Sequence, residues 1–153
     1  MSLQQEVELL RKIPMFSKIE PAKLKLLAFT SERLSYSDGD VLCRQGDQGD
    51  AAFVIIEGTA EVSIETDKGP LTVATLTDHD LVGEIAILCD VPRTATVTAS
   101  GPLEALRITK ELFYQLIAEF PEIAVEIMRE LARRLESSNA QLREAVAAGA
   151  GDG

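Results

Sequence analysis

Residues 83–97, GEIAILCDVPRTATV, interrupt a region that otherwise reads as short strands and turns. The stretch is too short and too apolar for an ordinary surface loop, and it reads as a site set into a β framework. Gly83 admits backbone geometry closed to other residues. Glu84 to Leu88 makes one helical turn, whose first N–H groups have no partner inside the turn and point at whatever lies above its start. A helix start of this kind attracts anions. Pro92 fixes the approach to Arg93, a guanidinium among small and apolar residues, suited to charge-assisted bonds to a phosphate. The two halves converge on one phosphate. Taken singly, each residue has a plainer reading: an arginine after proline is commonly a surface salt-bridge partner, and a glutamate at a helix start is held there by the dipole. The combination favours the phosphate.

Around this stretch the apolar runs Val41–Arg44, Ala52–Glu57, Ala60–Glu65, Leu71–Leu76, Ala95–Ala99 and Leu103–Ile108 predict strands. Ala60, Val62 and Ile64 alternate with Glu61, Ser63 and Glu65, and Ala95, Val97 and Ala99 alternate with threonines, so each strand buries one face. Asp67-Lys68-Gly69-Pro70 predicts a hairpin turn. Strands at this spacing predict a small barrel or jelly roll. Before it, Val7, Leu9, Leu10 and Ile13 fit one face of a short helix over 4–12. After Pro21, Leu24, Leu26, Leu27 and Phe29 make a second helix apolar on more than one side, as if wedged against something larger. After it, Thr109 is placed to cap a helix containing Leu112, Phe113, Leu116, Ile117 and Phe120. Past Pro121 a last helix, Glu122 to about Ala147, repeats Met128, Leu131, Leu135, Ser138, Leu142 and Ala145 at 3,4 spacing. That stripe fits packing on the barrel or a homodimer through the C-terminal helix. The expected class is mainly β within α+β: a double-stranded β-helix or jelly-roll barrel flanked by N-terminal helices and a long C-terminal helix. Its parts are an N-terminal helix at 1–13, the domain with its C-terminal helices at 14–147 and a flexible tail at 148–153. Met1-Ser2-Leu3 reads as an expression remnant.

The chain has 153 residues, 46% apolar and 26% charged, enough for one core without disulfides or a structural metal. Fifteen Lys and Arg against 25 Asp and Glu give a net charge of −10, which repels nucleic acid and anionic membranes. Cys43 and Cys89 are too far apart for a redox or zinc pair, and the single His79, between two aspartates, reads as a solvated turn residue; no metal is expected. No apolar run approaches a spanning helix and the start lacks a secretory signal, so a cytoplasmic protein is expected.

The pattern GEIAIL-x3-PRTATV resembles the phosphate-binding cassette of the cyclic nucleotide-binding domain family, which includes catabolite activator-type regulators, kinase regulatory subunits and gated channels. Gly39-Asp40, QGDQGD from Gln45 to Asp50, the FVI run from Phe53 and Gly58 resemble the glycine framework of the same barrel. The likeness covers roughly residues 14–140. It implies that Arg93 binds the exocyclic oxygens of a cyclic phosphate, that Glu84 accepts from the ribose 2′-OH, and that Gly83 and Ala86 offer backbone contacts. Ile85, Thr94 and Ala95 complete the implied ligand-binding set. Val82 departs from the aromatic residue usual before the Gly-Glu pair. Thr94 stands where many cAMP-selective members have alanine and resembles members that accept cGMP, though cAMP binders share it, so cAMP and cGMP both stay open as the ligand.

The resemblance implies a regulatory module that binds a cyclic nucleotide without consuming it, uses no further cofactor, couples binding to movement of its C-terminal helix and controls an effector domain or protein. Hydrolysis would need a metal cluster or a nucleophile with its base, and a cupin-type site would need several histidines. Direct DNA binding would need a helix-turn-helix after the long helix, where only a short tail is read. The competing reading is a degenerate barrel kept as a dimerisation or docking scaffold, which the intact Gly83, Glu84 and Arg93 oppose.

Overall fold

Alternating apolar residues from two sheets meet in one core, as the strand pattern demands. The computed structural model describes residues 2–151. Eight strands form two antiparallel four-stranded sheets. The first has the order β1 (Glu32–Tyr36), β8 (Leu103–Thr109), β3 (Ala51–Glu57), β6 (Leu81–Val82). The second runs β2 (Val41–Cys43), β7 (Thr96–Ala99), β4 (Ala60–Thr66), β5 (Gly69–Leu76). Phe53, Ile55, Val82, Leu103 and Ala105 of the first sheet pack with Ala60, Leu76, Val97 and Ala99 of the second. Alanines at three of these positions let the sheets come close, and each larger aliphatic side chain contributes about 1.5–3 kcal/mol by burial. The sheets form a jelly roll and stay separate rather than closing by hydrogen bonds into a continuous barrel.

In β3 the residues from Ala51 to Ile56 are all buried. Its second face is covered by the N-terminal helices α1 (Leu3–Arg11) and α2 (Pro21–Thr30): Leu9, Leu10 and Ala28 line a small cleft with Ile56 and Leu106. Ser2 starts α1 with a capping box, the Gln5 N–H donating to Ser2 Oγ at 3.2 Å and the Ser2 N–H to Gln5 Oε1 at 2.9 Å. Pro14 opens a single 3-10 turn to Phe16 before α2 begins. The wedged helix expected at α2 is corrected: Leu24 and Leu27 are buried, but Leu26 is 54% and Phe29 81% exposed. Apolar content on two sides does not require two covered sides, since the helix packs its Leu24 face and leaves the other outward.

Two strands escaped the sequence pattern. β1 is Glu-Arg-Leu-Ser-Tyr: only Leu34 and Tyr36 turn to the core, and its pairing with β8 is reinforced by charge, Arg33 with Glu104 and Arg107 with Glu32. β6 has two residues, too few for any periodicity. The β4–β5 turn is tighter than expected: Thr66 pairs with Gly69, so only Asp67 and Lys68 lie in the loop, and Gly69 takes a φ of +103°. Pro70 is tolerated in β5 because that strand is the edge of its sheet.

The chain divides into two compact units, 1–115 and 116–153, the boundary falling within α4 (Lys110–Glu119). As expected, Thr109 caps α4, its Oγ1 accepting from the Leu112 N–H at 3.2 Å. In the second unit α5 (Pro121–Gly151) starts with proline at the position that needs no N–H partner. The flexible tail expected at 148–153 is corrected in part: the helix continues through Gly151, carried by Ala145, Ala147, Ala148 and Ala150, the best helix formers, while 152–153 lie outside the described residues.

Candidate functional site

The cassette lies between β6 and β7, with α3 (Glu84–Leu88) in its first half and Arg93 in its second. Gly83, the cap of α3, has a φ of +84°, a left-handed conformation that disfavours any side chain. A Cβ there would also fall 2.3 Å from Arg93 Nη1. That closeness reflects direct bonding: Arg93 Nη1 donates to the Gly83 carbonyl at 3.0 Å and Nη2 donates to the Ala51 carbonyl at 2.7 Å. The arginine is thereby aimed by two fixed backbone oxygens. These bonds use two of its five N–H groups.

Among the described residues the buried charged side chains are Glu84, 2% exposed, and Arg93, 6% exposed. Burying a charge is costly unless it is paired or used, so two such residues in one cassette mark a built site rather than a solvated face. Glu84 sits in the first turn of α3, where the helix dipole favours its carboxylate. The backbone of Arg93 is held from both sides, its N–H donating to the Asp47 carbonyl at 2.7 Å and its carbonyl accepting from the Gly46 N–H at 2.8 Å.

Of the residues singled out from sequence, Glu84, Ala86 and Arg93 are buried, and the half-buried Gly83 is tied to Arg93 through its carbonyl. Ile85 and Thr94 are exposed and Ala95 is half-buried, so Ile85 can contribute its backbone rather than its side chain. Val82, the departure from the family pattern, is buried in the core and pairs with Phe53, which supplies an aromatic ring beside it. His79 is exposed, in a turn with φ +75°. Burial pushes the Cys43 thiol up against the opposing charge of Arg93, which keeps it a neutral thiol beside the cassette. Cys89 is exposed.

The sequence marks the QGDQGD loop as barrel framework but not what that loop holds in the cassette. Asp47, Gly46 and Ala51 hold Arg93, Gly49 packs on Ala86, and the Tyr114 hydroxyl donates to the Ile87 carbonyl at 2.9 Å. The repeated glycines of QGDQGD were the available signal; the roles of Ala51 and Tyr114 are set by the fold and leave no local signature. Among the described residues no three His, Cys, Asp or Glu side chains gather as a metal site, and no helix is long and apolar enough to cross a membrane.

The chain is similar to several known proteins. The chain is 35% identical over 115 residues to a cAMP-dependent protein kinase regulatory subunit of Blastocladiella emersonii, covering 74% of this chain and 28% of that one. It is 33% identical over 118 residues to a cGMP-dependent protein kinase of Caenorhabditis briggsae, covering 75% and 16%. The structure superposes on the catabolite activator protein of Thermus thermophilus with a TM-score of 0.73 and 28% identity, covering 84% of this chain and 61% of that one. The chain thus spans less than two thirds of each of these relatives. The pattern of the cyclic nucleotide-binding domain matches residues 33–120, more than half the chain and the whole of the cassette with its framework, so the chain belongs to that family.

Proposed function

We propose that this domain binds cAMP or cGMP through the cassette at 83–95, as a cytoplasmic regulatory module that does not consume the nucleotide. The observation that supports it most is Arg93, buried and aimed by the Gly83 and Ala51 carbonyls. Its charge would neutralise the single negative charge of a cyclic phosphate, assisted by backbone N–H groups of Ile85 and Ala86. Glu84 would accept from the ribose 2′-OH, and a 2′-phosphate in that place would be repelled. Thr94, exposed next to Arg93, is the residue of the cassette best placed to bias the choice of base. Calorimetric titration with cAMP and with cGMP tests the reading. Saturable binding of either at one site per chain is expected; no heat and no thermal shift at millimolar nucleotide would leave the scaffold reading in its place.

The effector is a second proposal, and its handle is α5. Met128, Leu135 and Leu142 repeat every seven residues with exposures of 59%, 63% and 63%, interleaved with Leu131, Ser138 and Ala145. This seam fits a second helix, and a homodimer through α5 is the simplest occupant. Sedimentation of the wild type is expected to show a concentration-dependent dimer, with Leu135→Asp monomeric at the same concentrations. A wild type that stays monomeric throughout leaves the seam to an effector protein. Nucleotide is further expected to change hydrogen exchange beyond Glu122 as well as in the cassette. Protection confined to 83–97 would describe a rigid binder.

A further inference from the structure

We propose that Gly49 is a positioning residue for the nucleotide phosphate: it is the socket in which Ala86 is seated, and the space it leaves sets where α3 stands relative to Arg93. The inference rests on reading the cassette as a nucleotide site. A Cβ at Gly49 would lie 2.3 Å from the Ala86 Cβ, far inside contact distance, and 3.5 Å from the Ala86 Cα. Six other glycines, Gly83 among them, have positive φ, whereas Gly49 does not. An alanine at Gly49 therefore meets no backbone strain, and its whole cost is the collision with α3.

The loop that carries Gly49 cannot retreat from that collision. The Gln45 N–H donates to Thr96 Oγ1 at 3.0 Å and Gln45 Oε1 accepts from the Glu65 N–H at 2.9 Å. At the far end the Asp50 carbonyl accepts from the Lys110 N–H at 2.9 Å. Between these anchors, Gly46 and Asp47 grip the peptide of Arg93. One short loop thus fixes both halves of the phosphate site: it holds the arginine by hydrogen bonds and sets the seat of α3 by the missing side chain. Pushing on Ala86 moves the N–H groups of a five-residue helix while Arg93 stays where the loop keeps it. The consequence is a loss of affinity from a residue that touches no ligand atom.

The test moves one methyl group across the contact. Gly49→Ala is expected to weaken cyclic nucleotide binding by at least about tenfold, as overpacking of a fixed contact does. Adding Ala86→Gly removes the opposing methyl and leaves the new Cβ at ordinary distance from a backbone carbon, so the double variant recovers most of the affinity. Ala86→Gly alone loses less than Gly49→Ala. Val7→Ala, in the buried face of α1, lowers the melting temperature without lowering affinity, which separates positioning from general destabilisation. If Gly49→Ala alone does not fold, Ala86→Ser loads the same contact from α3 with one atom and is expected to weaken binding. Wild-type affinity in Gly49→Ala, or in Ala86→Ser where that variant stands in, overturns the proposal. So does a loss that Ala86→Gly fails to repair. A wild-type protein that binds neither cAMP nor cGMP overturns instead the nucleotide reading on which the proposal rests.

Discussion

Arg93→Ala is expected to lower cyclic nucleotide affinity by about 100-fold or more, and to lower stability at the same time. Hydrogen bonds to a charged group contribute about 1.5–3 kcal/mol each, and a guanidinium on a phosphate makes two; at about 1.4 kcal/mol per tenfold, losing both exceeds two decades. The cost in stability comes from the other side of the same residue. Its Nη1 and Nη2 are the donors to the Gly83 and Ala51 carbonyls, and Ala51 is fully buried. A buried carbonyl left without a donor costs about 1–3 kcal/mol, and each 1 kcal/mol lowers Tm by roughly 2–4 °C in a chain of this size. Calorimetry gives the affinity and a thermal scan the stability. Arg93→Lys should fall between, keeping the charge but lacking the planar fork that spans two carbonyls and a phosphate. A variant with lowered Tm and unchanged affinity would make Arg93 a structural strut and nothing more.

The setting of Arg93 shows where the sequence was legible. The cassette could be read because its chemistry is local: a glycine, a helical turn and an arginine within eleven residues leave their mark in one line of text. Strands that bury one face, such as β4 and β7, were equally plain. β1 was not, because its pairing with β8 is supported by ion pairs between residues far apart in the chain. α2 was misread for a related reason. Leu26 and Phe29 look like core residues until the packing decides which face of the helix is covered, and no local pattern contains that choice. The seat at Gly49 was half legible: QGDQGD announces tight turns, but only the fold reveals that this glycine is small for the sake of Ala86 rather than for its own backbone.

The second large effect is expected at Glu84, and it is best read as a difference of differences. The residue is 2% exposed and already has a partner within the protein, so truncating it would disturb the fold and the site together. Changing the ligand avoids this. If Glu84 accepts a hydrogen bond from the ribose 2′-OH, the 2′-deoxy nucleotide should bind the wild type about 10- to 100-fold more weakly, the equivalent of 1.5–3 kcal/mol for a bond to a buried charged acceptor. Glu84→Gln keeps the shape and one acceptor oxygen but not the charge, so it should lose affinity for the ribonucleotide while the deoxy form is affected far less. The ratio of the two affinities then shrinks toward that of a neutral hydrogen bond, roughly 0.5–1.5 kcal/mol. Any general damage done by the substitution falls on both ligands equally and cancels in that ratio. Equal binding of ribo and deoxy nucleotide by the wild type would remove the sugar from Glu84 and leave its burial to the fold. A ratio in Glu84→Gln that matches the wild type would assign the discrimination to another group in the cassette.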